Sequence, residues 1–260
     1  CLRVHPVKDD EVLTVDQVDA SSGLVASGRC TVSLAPQIDS VDSNTDLILM
    51  TAGGNDIFFS TIVKQCFAVG YRDPGDCRSA LDTAQQLVDN GTIEARLADA
   101  LKKVQDKMRP DARIIVLPYP YLSSLEHWTL RSMRDKLPFV AGDKIDAAAR
   151  VREIGDKGDT AQNKAVAQAN ARTGKARVTF LDGGTDGGGL TEPFGVKQLF
   201  RGHEPDPGAS EANDAGWIVE FTEAIRRGIL IEAYHPNRTG HQKESELVAS
   251  LDLPRVLGAG

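Results

Sequence analysis

The hydrophobic residues of the chain fall into short continuous runs that alternate with longer amphipathic segments. Three of these runs end in Gly or Pro, a pattern typical of buried parallel strands, because such strands are covered on both faces. The three runs occupy residues 45–51, 113–117 and 177–181. Residues 11–18 are a weaker candidate for a fourth strand.

The segments between these runs have the periodicity of helices. Residues 92–108 place their apolar side chains on one helical face, and Pro110 follows the end of the pattern. Further helices are predicted at residues 160–173, 213–227 and 239–251. Strands that alternate with helices predict an α/β protein with a doubly wound parallel sheet, in which ligands bind beyond the carboxyl ends of the strands.

Two segments depart from this alternation. Residues 58–81 contain Asp73-Pro74-Gly75-Asp76, a sequence typical of a turn. Residues 183–216 are rich in Gly, Pro and Asp and are long for a connection, which favours a functional or mobile loop. The sequence contains no internal repeat and no interdomain linker, so we predict a single domain over residues 1–260.

Composition and charge exclude several classes of protein. Of the 260 residues, 41% are hydrophobic, which is enough for one substantial core. The net charge is −7 and there is no long basic run, so nucleic acid is not expected as a partner. No run of 18 or more apolar residues occurs, so a membrane-spanning helix is not expected either.

The four cysteines stand at positions 1, 30, 66 and 77. Three pairings are possible, and the two short loops favour Cys1–Cys30 and Cys66–Cys77. Disulfides imply an oxidising, extracellular compartment, and we therefore expect a secreted protein. The alternative is four free thiols in the cytosol. The first residues, Cys1-Leu2-Arg3, are neither an initiator Met nor a signal peptide. This is expected of a mature secreted chain, although a trimmed chain would begin in the same way.

The strand candidate 45–51 leads directly into Gly53-Gly54-Asn55-Asp56. A Gly pair lets the backbone turn sharply and approach a ligand closely. An Asn amide at such a turn is a neutral, fixed hydrogen-bond donor, which suits a site where negative charge develops. The alternative is an ordinary Gly-rich turn that contains an Asn.

A second motif, Tyr234-His235-Pro236-Asn237, precedes the last predicted helix. A neutral imidazole within reach of a hydroxyl group can accept its proton and return it to a leaving group. His235 is thus a candidate general base, and the alternative is a structural His beside a Pro turn. His241 lies on the following helix and is interpreted as an exposed or capping residue.

Together these motifs resemble the third and the last conserved blocks of the SGNH (GDSL-type) serine hydrolases. The resemblance implies that Asn55 is an oxyanion donor and His235 the catalytic base. It also implies that the backbone N–H of Gly23 is a second oxyanion donor. Many members of the family carry an Asp three residues before the His; this chain has Glu232, and in some members a backbone carbonyl orients the His instead.

Further features resemble the secreted actinobacterial esterase and lipase branch of that family. They are residues 115–120, residues 162–169, residues 200–204 and the Cys66–Cys77 pair. The branch's third disulfide is missing, because Pro205 follows the Gly-His-Glu sequence. His203 in that sequence is interpreted as structural. The fold implied is a three-layer α/β/α sandwich with a flavodoxin-like parallel sheet.

The nucleophilic serine of the family is not recognisable in this chain. Its Gly-Asp-Ser block does not occur, while residues 18–23 resemble the second block and Cys1 resembles the cysteine after the first block. The sequence therefore suggests a domain that lacks its first strand. A non-catalytic variant is the second explanation. The third is a degenerate block with Ser21 as nucleophile, which leaves too few residues before Asn55 for a second block.

The expected function is hydrolysis of a carboxylic ester by serine acyl transfer, in a monomer that needs no metal or organic cofactor. The sequence does not distinguish among a lipid ester, an acylated sugar and a small-molecule ester as substrate. The alternative from another class is a secreted SGNH-fold binding module without catalysis. An α/β binding protein of unrelated fold is a third alternative.

Overall fold

The computed structural model describes the backbone of residues 12–18, 25–31, 36–132, 142–181, 195–207, 215–228 and 232–251. The strands in these ranges are β1 Val12–Val18, β2 Val25–Thr31, β3 Leu47–Met50, β4 Arg113–Val116, β5 Thr129–Arg131, β6 Lys144–Asp146 and β7 Val178–Phe180. The α-helices are α1 Phe59–Ile62, α2 Pro74–Asp89, α3 Thr92–Lys107, α4 Ala147–Thr173, α5 Val196–Leu199, α6 Phe221–Arg227 and α7 Arg238–Ser250.

A three-stranded parallel sheet in the order β3-β4-β7 forms the centre of the fold. Leu49 pairs with Ile115, which in turn pairs with Thr179. These strands fall within the three apolar runs that predicted them. Each is joined to the next through helices, as parallel strands require.

The sheet has a hydrophobic core on each face. Ile114 and Val116 of β4 belong to a cluster with α3 and the second half of α4. Ile115 lies between them in sequence and belongs to a second cluster, which includes Leu247 and Val248 of α7. Because successive side chains of a strand point to opposite faces, helices flank the sheet on both sides. The expected α/β sandwich is therefore confirmed.

The weaker strand candidate, residues 11–18, forms strand β1, but it does not join the parallel sheet. β1 pairs antiparallel with β2, with Val12 opposite Thr31, in a separate two-stranded sheet. The second strand of this hairpin was not predicted from the sequence. Apolar patterning shows that a segment can form a strand, but the partner of that strand depends on tertiary contacts.

Residues 58–81, where the sequence predicted a turn, are largely helical. Helix α1 leads into a π-helical turn, Val63–Phe67, and α2 begins at Pro74. The Asp73 carboxylate accepts hydrogen bonds from the N–H groups of Gly75 (2.8 Å) and Asp76 (3.2 Å). The Asp-Pro sequence is thus a helix N-cap followed by Pro at the first helical position, rather than an isolated turn.

The predicted Cys66–Cys77 disulfide is present and joins the π-helical turn to α2. Both cysteines are fully buried. The predicted Cys1–Cys30 pair lies outside what can be described, because Cys1 is not among the described residues. The bond holds the segment after β3 against a helix that packs on α4.

Two predicted helices differ in length from the observed ones. Helix α4 begins at Ala147, well before the predicted start at residue 160, although it contains Gly155 and Gly158. Tertiary packing overrides the low helix propensity of glycine there. Helix α6 begins only at Phe221, because Ile218 forms a β-bridge with Pro236.

Residues 182–194 and 208–214, which make up most of the long loop predicted at residues 183–216, lie outside the described ranges. Its described part contains the short helix α5. Within the part of the chain that the structure describes, no helix has the length and apolarity needed to cross a membrane.

Two helical glycines offer a matched test of this packing. A Cβ on Gly240 of α7 would collide with the backbone carbonyl of Trp217, whereas a Cβ on Gly158 of α4 would meet no atom within 4 Å. We expect Gly240→Ala to lower the free energy of unfolding by about 1–3 kcal/mol through overpacking. Gly158→Ala should raise it by about 0.5–1 kcal/mol, because alanine favours helix.

Denaturant unfolding of the two variants measures both values. Equal effects of the two substitutions would contradict the packing of α7 against Trp217.

Candidate active site

The turn after β3 is shaped by two glycines. Gly53 has a φ of 99°, a backbone conformation that favours glycine. Gly54 is buried against Tyr119, and a Cβ there would lie 2.9 Å from the Tyr119 ring. Gln162 of α4 donates a hydrogen bond from Nε2 to the Ala52 carbonyl (2.9 Å). The turn is therefore held from both sides.

Tyr119 packs against this turn. Burial raises its pKa, and hydrogen bonds with the Thr51 side chain and the Gly54 backbone only partly oppose that rise. Its phenol thus stays neutral under ordinary conditions and acts as a fixed hydrogen-bonding group. Sequence reasoning placed Tyr119 in a family-like segment but gave it no role.

Asn55 begins a short 3₁₀ turn, Asn55–Ile57, directly after the glycines. Its side chain is exposed and forms no hydrogen bond within the described part of the chain. The neighbouring Asp56 is held by Arg96 of α3, with Oδ1 2.9 Å from Nη1. The Asn55 amide is consequently free to donate to a ligand, while the turn that carries it is anchored.

The same turn reaches the second motif through Phe59. Phe58 adopts a left-handed conformation with a φ of 57°, which is strained for an aromatic residue, and α1 starts immediately after it. The ring of Phe59 lies 5.9 Å from the His235 ring and 6.2 Å from the Tyr119 ring, centroid to centroid. The structure thus brings the segment that begins at Asn55 into contact with His235.

His235 lies on a loop fixed by backbone hydrogen bonds. The Val219 N–H donates to the His235 carbonyl (2.9 Å), and the Tyr234 N–H donates to the Val219 carbonyl (2.7 Å). Nδ1 of His235 lies 3.1 Å from the Ala233 carbonyl oxygen. If Nδ1 carries the proton, it donates to that carbonyl and leaves Nε2 as an acceptor. The ring itself is exposed.

Tyr234 gives this loop its sharp bend. It has a φ of 62° and a buried side chain that stacks on Phe67, with ring centroids 5.6 Å apart. Burial raises its pKa, and the nearby Glu220 carboxylate adds to that effect. A buried aromatic anchor next to an exposed imidazole sets the direction in which His235 points.

Asn237 ties the loop to the last helix. Its Oδ1 accepts a hydrogen bond from the Gly240 N–H (3.0 Å) and so caps α7. Its Nδ2 donates to the Gly216 carbonyl (2.8 Å). One side chain thereby joins the helix N-terminus, the His loop and the segment that pairs with it.

The other sequence-predicted residues lie as follows. Glu232 contacts His235 through its backbone carbonyl, which accepts from the His235 N–H (3.0 Å); the Nδ1 partner is Ala233 rather than the Glu232 carboxylate. Gly23 is outside the described residues. A backbone carbonyl has no sequence signature, so no signal in the sequence identified Ala233.

Two other histidines, His203 and His241, have local partners. His203 stacks on Trp217 with ring centroids 3.7 Å apart, and its Nδ1 lies 2.8 Å from the Ala215 carbonyl oxygen. His241 on α7 is exposed, with Nδ1 3.3 Å from Glu244. Among the described residues, no group of three or more His, Cys, Asp or Glu side chains is placed to bind a metal.

A cavity of about 70 Å³ adjoins the glycine turn. Gly53, Gly54 and Phe59 line it together with aliphatic side chains from α1 to α4. The arrangement therefore combines an exposed imidazole, an unpaired amide donor and an apolar space.

Comparison with known proteins finds relatives among bacterial lipases, although no family model matches the chain. Over 217 residues it is 29% identical to Lipase 2 of Streptomyces coelicolor, covering 82% of this chain and 62% of that protein. It is 27% identical to a lipase of Streptomyces rimosus over 211 residues, covering 81% and 61%. It is 24% identical to Lipase 1 of S. coelicolor over 207 residues, covering 80% and 60%.

The fold is also similar to that of a solved structure from Streptomyces, the genus of the three lipases. The crystal structure of phospholipase A1 from Streptomyces albidoflavus aligns with a TM-score of 0.51 and 22% identity, covering 82% of this chain and 72% of that chain. The chain spans about three fifths of the length of the three lipases. These relationships confirm the expected resemblance to a lipase and esterase family, with which the SGNH type is consistent.

The bonds of Asn237 predict the effect of removing its side chain. We expect Asn237→Ala to lower the free energy of unfolding by about 2 kcal/mol, since a helix cap and a second hydrogen bond are lost together. Asn44→Ala is the matched control, because Asn44 is exposed and its side chain makes no hydrogen bond within the described ranges. Denaturant unfolding measures both, and equal losses would contradict the role given to Asn237.

Proposed function

We propose that this chain, a relative of the Streptomyces lipases, is the greater part of an enzyme that hydrolyses carboxylic esters by serine acyl transfer. The observation that carries the proposal is the contact of the Asn55–Phe59 segment with His235, whose Nδ1 faces a backbone carbonyl. This contact brings the segment that carries the candidate oxyanion donor next to the candidate base. Acyl transfer needs both groups beside one substrate.

In this proposal Nε2 of His235 accepts the proton of a serine hydroxyl as it attacks the ester carbonyl. The Asn55 amide and the Gly23 N–H stabilise the oxyanion of the tetrahedral intermediate. His235 then returns the proton to the departing alcohol, and water releases the acyl group by the reverse steps. The Ala233 carbonyl, 3.1 Å from Nδ1, orients the imidazole in the place of a carboxylate.

Lipid esters are the proposed substrates. The related proteins are named lipases, and the protein of similar fold is named a phospholipase A1. The apolar cavity beside the glycine turn supports the same class of substrate. No metal or organic cofactor is required by this chemistry.

The proposed nucleophile is a serine outside residues 1–260, on a strand that pairs with β3. Within the described residues β3 has a partner on one edge only, β4. Leu49 of β3 is 51% exposed, although its neighbour β4 is almost fully buried. A half-exposed apolar strand with an open edge fits a position beside a further strand of the same sheet. We therefore propose that this chain and the further strand belong to one domain of the SGNH type.

A secreted monomer is the proposed setting. The Cys66–Cys77 disulfide supports an oxidising compartment. The net charge of −7 favours neither nucleic acid nor an anionic membrane surface as partner.

The nucleophile is tested by labelling. The chain is prepared as it stands and with the residues encoded immediately before Cys1, and each form is incubated with a serine-directed organophosphonate. We expect labelling only of the longer form, because base and oxyanion donors form no acyl-enzyme without a nucleophile. Labelling of Ser21 in the shorter form would overturn the assignment of the blocks. Absence of labelling in both forms would favour a binding module.

The roles of His235 and Asn55 are tested in the longer form with an aryl ester. We expect His235→Gln to lower kcat by about 10⁴-fold or more. Asn55→Ala should lower kcat by about 10²- to 10³-fold, as the loss of one oxyanion donor does. The matched controls are His241→Gln and Asn44→Ala, which lie elsewhere and should leave kcat within about two-fold. A full rate in either test variant would contradict its role.

A further inference from the structure

The large apolar side chains that are exposed to solvent are concentrated in one short segment. Among the residues whose burial the structure describes, four of them are exposed: Leu49 (51%), Phe58 (55%), Val69 (49%) and Tyr71 (58%). Leu49 lies on the open edge of β3, where the proposed further strand covers it. The other three lie between residues 58 and 71. Exposed apolar residues that are grouped in this way mark a surface that binds something.

Helix α1 and the π-helical turn after it have one buried side and one exposed side. The buried side contributes four apolar residues to the core: Ile62, Val63, Cys66 and Phe67. Phe58, Thr61 and Lys64 follow one another at intervals of three residues and are exposed. At a rise of about 1.5 Å per residue, Phe58 and Lys64 lie about 9 Å apart along the helix. The exposed side is therefore short and continuous.

Lys64 connects this side to Tyr71. Its Nζ lies 5.3 Å from the centroid of the Tyr71 ring, and the edge of that ring contacts Phe221 of α6 at 6.2 Å between centroids. Within the described part of the chain, Lys64 forms no ion pair with a carboxylate. Its ammonium group thus lies beside an aromatic ring and remains available to an anion outside the protein. We call Phe58, Lys64, Val69 and Tyr71 the exposed ridge.

Phe58 is both strained and exposed. Its φ of 57° is uncommon for an aromatic residue, and Asn or Gly would adopt it at a lower cost. More than half of the side chain is exposed, so little of that cost is recovered by burial within the protein. A strained residue of this kind indicates a function for its side chain outside the fold.

The exposed ridge lies beside the candidate active site and is firmly held. Asn55 stands three residues before Phe58, and Phe59, the next residue, contacts the His235 ring. The Cys66–Cys77 disulfide joins the π-helical turn to α2. A surface that binds the ridge therefore lies next to the segment that carries the candidate oxyanion donor.

We propose that the exposed ridge docks the protein on a phospholipid surface. Phe58, Val69 and Tyr71 enter the boundary between the head groups and the acyl chains, while Lys64 pairs with a head-group phosphate. Tyr favours this boundary because its ring is apolar and its hydroxyl is polar. An ammonium group and a phosphate form a charge-assisted hydrogen bond. The inference rests on the proposed function only in that the bound surface supplies the lipid ester.

The size of the exposed ridge favours a lipid surface over a second copy of the chain. Three half-exposed side chains offer roughly 300 Å² of area, at about 100 Å² each, whereas a stable protein interface takes about 800 Å² from each partner. A lipid surface adapts its shape to the inserted side chains, so a few of them together with one cation give reversible binding.

The charge of the protein favours a zwitterionic lipid. A net charge of −7 opposes approach to an anionic surface, because like charges repel over about a Debye length. A zwitterionic surface has no net charge to repel the protein, yet it still presents phosphates to Lys64. Phosphatidylcholine is therefore the lipid for the test.

Binding is measured by sedimentation of the chain, as it stands, with phosphatidylcholine vesicles. We expect the chain to bind the vesicles and Phe58→Asn to weaken binding at least about five-fold, since the apolar ring is lost. The same substitution should leave the free energy of unfolding unchanged or raise it, because Asn tolerates the left-handed conformation. No binding by the parent chain, or undiminished binding by a folded Phe58→Asn protein, would overturn the proposal.

A second substitution tests the far part of the exposed ridge and does not depend on Phe58. Tyr71→Ala should weaken vesicle binding by a similar factor. Leu49→Ala is the matched control, because Leu49 is similarly exposed but lies on the edge of the sheet. It should leave binding within about two-fold. Equal losses in Tyr71→Ala and Leu49→Ala would show that any exposed apolar residue suffices and would contradict the ridge.

The phosphate contact is tested by Lys64→Gln, which removes the charge and keeps a polar side chain of similar length. We expect vesicle binding to weaken about three-fold at low salt, with a smaller difference at high salt because exposed charges are screened. Binding equal to that of the parent chain at low salt would contradict the role of Lys64.

The alternative occupant is tested by sedimentation equilibrium without vesicles, where we expect a monomer. A dimer that Phe58→Asn dissociates, in a chain that does not bind vesicles, would assign the exposed ridge to a second copy and overturn the proposal.

The longer form of the chain separates docking from catalysis. Tyr71→Ala in this form should lower fatty-acid release from dilute phosphatidylcholine vesicles about five-fold and leave kcat for a soluble aryl ester within about two-fold. If soluble esters are hydrolysed but neither form binds vesicles, docking fails and the hydrolase remains. If both forms bind vesicles through the ridge but hydrolyse no ester, docking stands and the proposed catalysis fails.

Discussion

The candidate site depends on the backbone pairing between the segment before α6 and the loop before α7. Val219 exchanges hydrogen bonds with Tyr234 and His235, and the Asn237 N–H donates to the Trp217 carbonyl at 2.8 Å. These bonds hold the loop that carries the exposed imidazole, whose own hydrogen-bonding partner among the described residues is the Ala233 carbonyl. The same pairing holds Ile218 and Val219 in an extended conformation, so α6 cannot begin before them. One set of bonds therefore sets both the start of α6 and the position of His235.

Local backbone strain is concentrated where the site is formed. The two non-glycine residues with positive φ among the described residues are Phe58 and Tyr234, and each lies beside a residue of the candidate site. Such conformations cost free energy and persist only when surrounding packing holds them. Tyr234 is held by its buried stack on Phe67, and Phe58 by the glycine turn before it and α1 after it. The fold thus carries a local cost in free energy beside each of the two segments of the candidate site.

Sequence patterns predicted the parallel strands well and the segment after β3 poorly. The apolar runs at β3, β4 and β7 carry their own signal, since a strand covered on both faces must be continuously apolar. Helix α2 was missed because Asp73-Pro74 is compatible with both a turn and a helix start, and only the cap hydrogen bonds distinguish them. In the same way, apolar periodicity at residues 213–227 favoured one helix, whereas Ile218 is used in a bridge to Pro236.

The sequence by itself determined the layered α/β architecture and the two segments that carry Asn55 and His235, and it favoured the Cys66–Cys77 pairing. Local patterns indicate these properties, namely apolar runs, cysteine spacing and short motifs. The tertiary structure alone decided that Phe59 bridges those two segments and that a carbonyl rather than the Glu232 carboxylate faces Nδ1. Contacts of this kind join residues far apart in the chain or involve backbone atoms common to every residue, so no local pattern encodes them.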